Sequence, residues 1–242
     1  MERWYEWEHV YFPTVIDMKT LERADIENVF FGGHDAATTQ VRGYQNYDIS
    51  DNKIIAINNP SKKRPWTDTK VKSEFWEKIF NNLQPKSYAD FGCNLGYYVF
   101  ASALADVPST GIDYNSEYIH VCSAIKDRHD MQYAEFIETT LAGWQLSSRK
   151  YDLLTVFNVI HHLYNRTEKY LEMEPLITDF ANKTSKAILF EVPTEKDKKG
   201  HKWTMDTGYS EQLFVETIER IFSKHVRIEG QTEHRPYYLC TL

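Results

Sequence analysis

The stretch from Tyr88 to Phe100 reads "YADFGCNLGYYVF" and is the part of the chain that decides the fold. It places a short apolar run, the acidic residue Asp90 and the glycines Gly92 and Gly96 ahead of an aromatic segment. A buried strand, a glycine-containing turn and a helix form the unit with which a parallel sheet binds ligands beyond the carboxyl ends of its strands. The sequence therefore predicts a ligand-binding turn at residues 92–96.

The spacing of this turn distinguishes between kinds of ligand. The dinucleotide pattern G-x-G-x-x-G would need glycine at positions 92, 94 and 97, and only the first is glycine. The phosphate-loop pattern G-x-x-x-x-G-K-[ST] is absent from the sequence. The pattern acidic-x-G-x-G-x-G matches at Asp90, Gly92 and Gly96, with Asn94 in place of the middle glycine. Because asparagine tolerates the left-handed backbone conformation, we expect Asn94 to preserve the turn.

Helical and extended patterns alternate over residues 67–242, which predicts an α/β domain. Extended patterns occupy residues 86–91, 109–113, 131–136, 151–159, 187–192, 225–230 and 235–242. Helical patterns occupy residues 69–83, 96–107, 115–128, 165–183 and 210–224, with an interruption near Pro175. We expect a Rossmann-like, seven-stranded, mostly parallel sheet with helices on both faces. In the first helix the apolar spacing predicts that Val71 faces the core.

Residues 1–66 have a different character, because their aromatic side chains follow no sustained period and turn signals interrupt them. We expect an aromatic-rich N-terminal cap with one strand near residues 53–58, followed by the main domain.

Composition argues for a soluble, cytoplasmic protein. The formal net charge is -7, from 35 acidic and 28 basic residues, which disfavours a broad nucleic-acid-binding surface. Three cysteines without a C-x-x-C pair predict neither a disulfide framework nor a metal site. The first residues lack the basic and apolar regions of a signal peptide, and no apolar run approaches the ~20 residues that span a bilayer.

With its acidic, glycine-containing turn, the chain resembles the class I S-adenosylmethionine-dependent methyltransferases from about Lys70 onward. It is similar in particular to the methyltransferase domain of bacterial O-antigen chain-terminating enzymes, through "GIDYNSEYIHVCSAI", "VFNVIHHL", "AILFEVPTEK" and "RPYYLC" in the same order. Those enzymes also carry a kinase domain, for which this chain has no room, so the resemblance does not imply a phosphorylated acceptor.

The resemblance implies S-adenosylmethionine as the cofactor and assigns residues to it. The acidic, glycine-containing turn would hold it through Asp90, Gly92, Asn94 and Gly96. Asp113, at the end of the second strand, would bind the ribose hydroxyls, although capping of the next helix is the alternative. Tyr114 would lie on the adenine or simply pack. The residue at the adenine edge stays open between Ile137 and Glu138.

The segment "YDLLTVFNVIHHLY" resembles the family's fourth motif, whose strand ends beside the transferred methyl group. Asn158 would then contact the cofactor. His161 and His162 are the catalytic candidates, because a histidine with a near-neutral pKa can remove the proton of a hydroxyl acceptor. Adjacent histidines point in different directions, so at most one reaches the acceptor. The alternative is a structural turn without a catalytic role.

The acceptor is predicted less directly. Arg235 is the leading substrate-binding candidate, because an arginine at the mouth of the site can bind a phosphate or carboxylate bidentately. Arg42, Tyr44 and Tyr47, from the N-terminal cap, are weaker candidates. The leading function is methyl transfer to a small-molecule or glycan-like acceptor at oxygen. Two alternatives stay open: a tRNA- or RNA-modifying methyltransferase, which the acidic charge disfavours, and a methyltransferase-like binding protein without activity.

Overall fold

The computed structural model describes residues 45, 47–50, 53–56, 69–166, 168–194, 207–229 and 234–242. Contacts within the chain divide it into residues 1–43 and 44–242, and every described residue belongs to the second unit. The first described elements are two short antiparallel strands, β1 (Tyr47–Ser50) and β2 (Lys53–Ala56). The predicted strand near residues 53–58 is thereby confirmed, and β1 is its unforeseen partner. The predicted boundary between residues 66 and 67 stays a prediction.

Seven further strands form one sheet among the described residues. They are β3 (Tyr88–Phe91), β4 (Ser109–Asp113), β5 (Ala134–Glu138), β6 (Tyr151–Phe157), β7 (Thr184–Glu191), β8 (Lys224–Ile228) and β9 (Tyr237–Thr241). Their order is β5-β4-β3-β6-β7-β9-β8. The first five are parallel, whereas β9 runs antiparallel to both β7 and β8. This confirms the predicted Rossmann-like, mostly parallel sheet.

Seven α-helices accompany the sheet in the described part of the chain. They are α1 (Thr69–Leu83), α2 (Tyr97–Ala103), α3 (Ser116–Arg128), α4 (Leu141–Trp144), α5 (Ile160–Leu163), α6 (Met173–Ala181) and α7 (Glu211–Ile221). Asn115 caps α3, because its side chain accepts hydrogen bonds from the amides of Glu117 at 2.9 Å and Tyr118 at 3.4 Å.

Two details of the helices differ from the expectation. Pro175 does not interrupt a long helix. It lies in the first turn of α6, where its missing amide hydrogen costs no helical bond, and a 3-10 turn (Glu168–Tyr170) precedes that helix. Val71 is 47% exposed, so its predicted place in the core is wrong. The buried residues of α1 are Thr69, Lys72, Ser73, Trp76 and Phe80.

Alternation along the strands gives the sheet two different faces. On one face, Ala89 and Phe91 of β3 join the main core formed with α6 and α7. On the other face, Tyr88 contacts Trp76 of α1 with ring centroids 5.6 Å apart. Asp90 projects from that same face, because it alternates with Ala89 and Phe91. The acidic residue of the turn motif therefore lies under α1.

Among the described residues, no helix is both long and apolar enough to cross a membrane. The same part of the chain contains no group of three or more His, Cys, Asp or Glu side chains arranged to hold a metal ion.

Candidate active site

One edge of the sheet collects the polar residues that the sequence pattern singles out. Asp90 and Asp113 stand at or near the carboxyl ends of β3 and β4, and Asn158 directly follows β6. Glu191 ends β7. Because β9 is antiparallel to β7 and begins opposite Glu191, the preceding Arg235 reaches the same edge. The topology thus assembles residues from five strands where an α/β sheet binds its ligand.

The turn after β3 depends on left-handed backbone conformations. Gly92, Asn94 and Gly96 have φ angles of 81°, 50° and 79°. The amide of Gly92 donates to the Ile112 carbonyl at 2.7 Å, and that of Gly96 to the Cys93 carbonyl at 2.9 Å. The predicted left-handed conformation of Asn94 is confirmed. Its role in cofactor binding stays a prediction.

Gly92 also permits a close approach between the ends of two neighbouring strands. A Cβ atom at Gly92 would lie 2.5 Å from Cγ2 of Val159, which follows β6. The Val159 side chain would have to shift before a Cβ atom could fit at that distance. The turn therefore favours glycine at this position for space as well as for conformation.

Hydrogen bonds from backbone amides hold the Asp113 carboxylate beside the turn. Its Oδ2 accepts from the Asn94 amide at 3.0 Å and its Oδ1 from the Asn115 amide at 3.0 Å. Burial raises the pKa of Asp113, and these backbone hydrogen bonds oppose that shift. An ionised carboxylate offers about four acceptor positions, so Asp113 can also accept hydrogen bonds from ligand hydroxyls. The neighbouring Tyr114 is 75% exposed.

Asp90 is the second carboxylate of the site and is almost fully buried. Its Oδ1 accepts from the Thr155 hydroxyl at 2.7 Å, whereas its Oδ2 has no hydrogen-bond partner among the described residues. Burial raises the pKa of Asp90 to about 7; the Thr155 hydrogen bond opposes the rise, the charge of Asp113 adds to it, and Lys72 opposes it.

Beyond the turn, at the same carboxyl ends of the strands, four residues form a cluster that we call the ionic cluster: Lys72, Asn158, Glu191 and Arg235. The Lys72 ammonium donates to Glu191 Oε2 at 2.5 Å, and Asn158 Nδ2 donates to the same oxygen at 2.6 Å. The Arg235 guanidinium donates to Asn158 Oδ1. Burial lowers the pKa of Lys72, and the Glu191 carboxylate opposes that shift.

The sequence pattern pointed to Asn158 and Arg235 but missed Lys72 and Glu191. Glu191 could have been predicted from the sequence, since an acidic residue at the end of an apolar strand is the same pattern that identified Asp90 and Asp113. Lys72 carried none, because a lysine between apolar helix positions is typical of a solvated face.

The two histidines differ in their surroundings. Both lie in α5, directly after Asn158 and Val159, with their ring centroids 4.2 Å apart. His161 is 1% exposed and its ring faces Tyr209, whereas His162 is exposed. Both follow β6, whose end approaches the turn through Val159, so both stay candidates for the catalytic role.

Residues that precede α1 also contact the turn. The Gln45 side chain accepts from the Tyr97 amide at 2.8 Å, and the Tyr47 hydroxyl donates to the Leu95 carbonyl. Tyr47 is buried, so its side chain supports the turn, and its proposed contact with an acceptor stays a prediction. Arg42 and Tyr44 lie outside the described residues.

Comparisons with known proteins agree with this geometry. Residues 89–176 match a family described as a methyltransferase domain. Two Escherichia coli proteins, both named O-antigen chain terminator bifunctional methyltransferase/kinase WbdD, are each 29% identical over 110 residues. The match covers 44% of this chain but only 15% of either relative.

Solved structures show the same fold. The bifunctional kinase-methyltransferase WbdD superposes with a TM-score of 0.57 and 21% identity, over 70% of this chain and 38% of that one. The N-terminal domain of EvdMO1, solved with SAH bound, superposes with a TM-score of 0.55 and 10% identity, over 70% of this chain and 79% of that one. The chain thus contains a stretch similar to a methyltransferase domain, shows sequence similarity to the methyltransferase/kinase WbdD, and shares its fold with solved methyltransferase structures.

Proposed function

We propose that this protein transfers a methyl group from S-adenosylmethionine to a hydroxyl oxygen of a small-molecule or glycan-like acceptor. The observation that carries the proposal is the Asp113 carboxylate, oriented by the amides of Asn94 and Asn115 at the end of β4. A carboxylate fixed beside a left-handed, glycine-containing turn fits a ribose next to a chain that must approach the backbone closely.

We assign residues at the carboxyl ends of the strands to each part of this cofactor. Asp113 binds the ribose hydroxyls, and the exposed ring of Tyr114 covers the adenine. The turn from Gly92 to Gly96 lies along the thioether chain, where the space kept free at Gly92 permits close contact. Asp90 places a buried carboxylate beneath the turn, and Asn158 lies at the end of β6.

The chemistry asks the protein mainly for positioning. S-adenosylmethionine supplies a methyl group already activated on a sulfonium, so holding the acceptor oxygen in line supplies much of the acceleration. The acceptor hydroxyl loses its proton as the bond to carbon forms, and His161 or His162 accepts that proton. The exposed His162 can pass a proton directly to solvent, whereas the buried His161 cannot.

The proposed acceptor rests on the charge of Arg235 and on the names of the similar proteins. Arg235 stands two residues before β9 and donates to Asn158, and this contact supports a buried guanidinium beside the proposed methyl position. A guanidinium there binds an anionic or polyhydroxylated group through several donors. Arg42 and Tyr44 are proposed as further acceptor contacts. The relatives are named for termination of O-antigen chains, which favours a saccharide hydroxyl.

The cofactor part of the proposal is tested by isothermal titration calorimetry with S-adenosylmethionine and S-adenosylhomocysteine. We expect both to bind the wild-type protein and Asp113→Ala to weaken both at least tenfold. Asp127→Ala, an exposed aspartate toward the end of α3, is the matched control and should bind as the wild type does. Absence of binding to the wild-type protein would refute the proposed function.

The acceptor part is tested by transfer of a radiolabelled methyl group. Methyl glycosides of common hexoses are offered in parallel with total tRNA, and SAH release is measured for each. We expect label on a glycoside hydroxyl. Label on tRNA would instead support the RNA-modifying alternative and contradict the proposed acceptor.

A further inference from the structure

The pair of Lys72 and Glu191 is more deeply buried than an ordinary ion pair. Lys72 is 9% exposed and Glu191 is fully buried. Glu191 Oε2 accepts two hydrogen bonds, from Lys72 and from Asn158, but Oε1 is buried without a hydrogen-bond partner among the described residues. A buried carboxylate oxygen without a donor is costly, and such atoms call for an explanation such as an absent ligand.

The pair lies on the same side of the sheet as Asp90. Asp90 stands opposite Thr155, to which it is hydrogen-bonded, and Glu191 stands opposite Phe157. Thr155 and Phe157 are two residues apart on β6 and so project from one face. The Lys72 ammonium lies 5.8 Å from the centroid of the Phe157 ring. Lys72 and Glu191 therefore lie at the carboxyl ends of the parallel strands, next to the turn.

We propose that Lys72 and Glu191 bind the amino-acid end of the cofactor, with Glu191 Oε1 accepting from its α-ammonium and Lys72 donating to its α-carboxylate. This inference rests on the function proposed above. A lysine–glutamate pair presents one donor group and one acceptor group side by side, which is the complement of an α-amino-acid zwitterion. The Lys72 ammonium has three donors, and Glu191 takes one of them.

The arrangement of the sheet agrees with an elongated ligand. Asp113 stands on β4, and the strands then follow in the order β3, β6 and β7 before Glu191 is reached. With neighbouring strands ~4.8 Å apart, the two carboxylates stand roughly 14 Å apart along one edge, measured at the backbone. Their side chains, with the turn of Gly92–Gly96 between them, suit a nucleoside at one end and an amino acid at the other.

The experiment compares two ligands that differ in the amino-acid end. S-adenosylhomocysteine carries it, whereas 5′-methylthioadenosine has the same nucleoside and sulfur without it. Both are titrated calorimetrically into the wild-type protein, Glu191→Gln and Lys72→Met. We expect each variant to weaken S-adenosylhomocysteine at least tenfold and to change the affinity for 5′-methylthioadenosine less than twofold. Lys78→Met, on the exposed face of the same helix, should change neither.

The outcomes separate this inference from the function on which it rests. Asp113→Ala should weaken both ligands, because both contain the ribose. If Glu191→Gln and Lys72→Met bind both ligands as the wild type does, the pair serves the acceptor or the fold, and the inference is wrong. It is equally wrong if both ligands are weakened in parallel, since that indicates general damage. Binding of neither ligand by the wild type would refute the proposed function itself.

Discussion

At the scale of single residues, the site concentrates negative charge where water is excluded. Asp90 and Asp113 stand on neighbouring strands, and burial raises the pKa of both carboxyl groups. Hydrogen bonds from backbone amides favour the ionised form of Asp113, whereas Asp90 accepts one from the Thr155 hydroxyl. The ionised form of Asp90 is therefore the less stabilised of the two carboxylates, and a cationic ligand beside it would favour that form.

The raised pKa of Asp90 makes stability depend on pH. Its folded pKa of about 7 lies above the ordinary value of 3.8, so the folded protein keeps a proton that the unfolded chain has lost between about pH 4 and pH 7. The contribution of Asp90 to stability is therefore present at low pH and falls as pH rises through that window. Asp90→Asn does not titrate. We expect the urea-unfolding free energy of this variant, relative to wild type, to improve by about 2 to 3 kcal/mol between pH 5 and pH 8.

Asp127→Asn, at an exposed position, is the control for this measurement and should show no such trend. A difference between Asp90→Asn and wild type that stays constant from pH 5 to pH 8 would mean that Asp90 titrates normally. The same Asp90→Asn protein should bind S-adenosylmethionine more weakly, because a stabilising substitution within a binding site gives up the charge that the ligand uses.

At the scale of elements, the turn after β3 can be tested with two glycines of similar conformation. Gly92 and Gly208 have φ angles of 81° and 74°, but a Cβ at Gly208 would meet nothing within 4 Å, whereas one at Gly92 would meet Val159. Gly208→Ala should cost about 1 kcal/mol from backbone strain alone. Gly92→Ala should cost about 1 to 3 kcal/mol more, because of overpacking, in urea unfolding.

The excess cost at Gly92 should depend on Val159. Combining Gly92→Ala with Val159→Ala removes the atom that the new methyl group meets, so the double variant should lose less stability than the sum of the two single variants. Strict additivity would show that the cost at Gly92 comes from backbone conformation and not from the approach of the β6 end.

The hairpin of β1 and β2 packs against the turn through the buried side chain of Tyr47. Tyr47 reaches the carbonyl of Leu95 inside the turn, and its ring lies 5.7 Å from that of Tyr97. Tyr47→Phe keeps the ring but leaves a buried carbonyl without its donor. We expect a loss of about 1 kcal/mol in unfolding free energy and a several-fold weaker affinity for S-adenosylhomocysteine. Tyr133→Phe, at a half-exposed position, should affect neither, and an unaltered affinity in Tyr47→Phe would show that the hairpin does not support the cofactor turn.

At the scale of the whole molecule, the sheet was predictable because its strands are short apolar runs bounded by turn signals. Asp113 and Asn158 follow directly from that pattern, since the ends of parallel strands share an edge. The contacts made by Lys72 and Gln45 were not predictable, because they depend on which elements pack together. Val71 shows the same limit: α1 covers a polar edge, so apolar spacing alone misplaces its buried face.

Ligand binding at this edge should stabilise the entire domain, because the site joins α1 with β3, β4, β6, β7 and β9. A ligand that binds only the folded state adds RT ln(1 + [L]/Kd), or about 2.7 kcal/mol at a free concentration of 100 times Kd. For a domain of this size we expect S-adenosylhomocysteine to raise Tm by roughly 5 to 10 °C in differential scanning fluorimetry. With at least tenfold weaker binding, Asp113→Ala should lose about half of this shift or more, whereas Asp127→Ala should keep it. A shift of equal size in Asp113→Ala would place the ligand away from the β4 edge and contradict the assignment of its ribose.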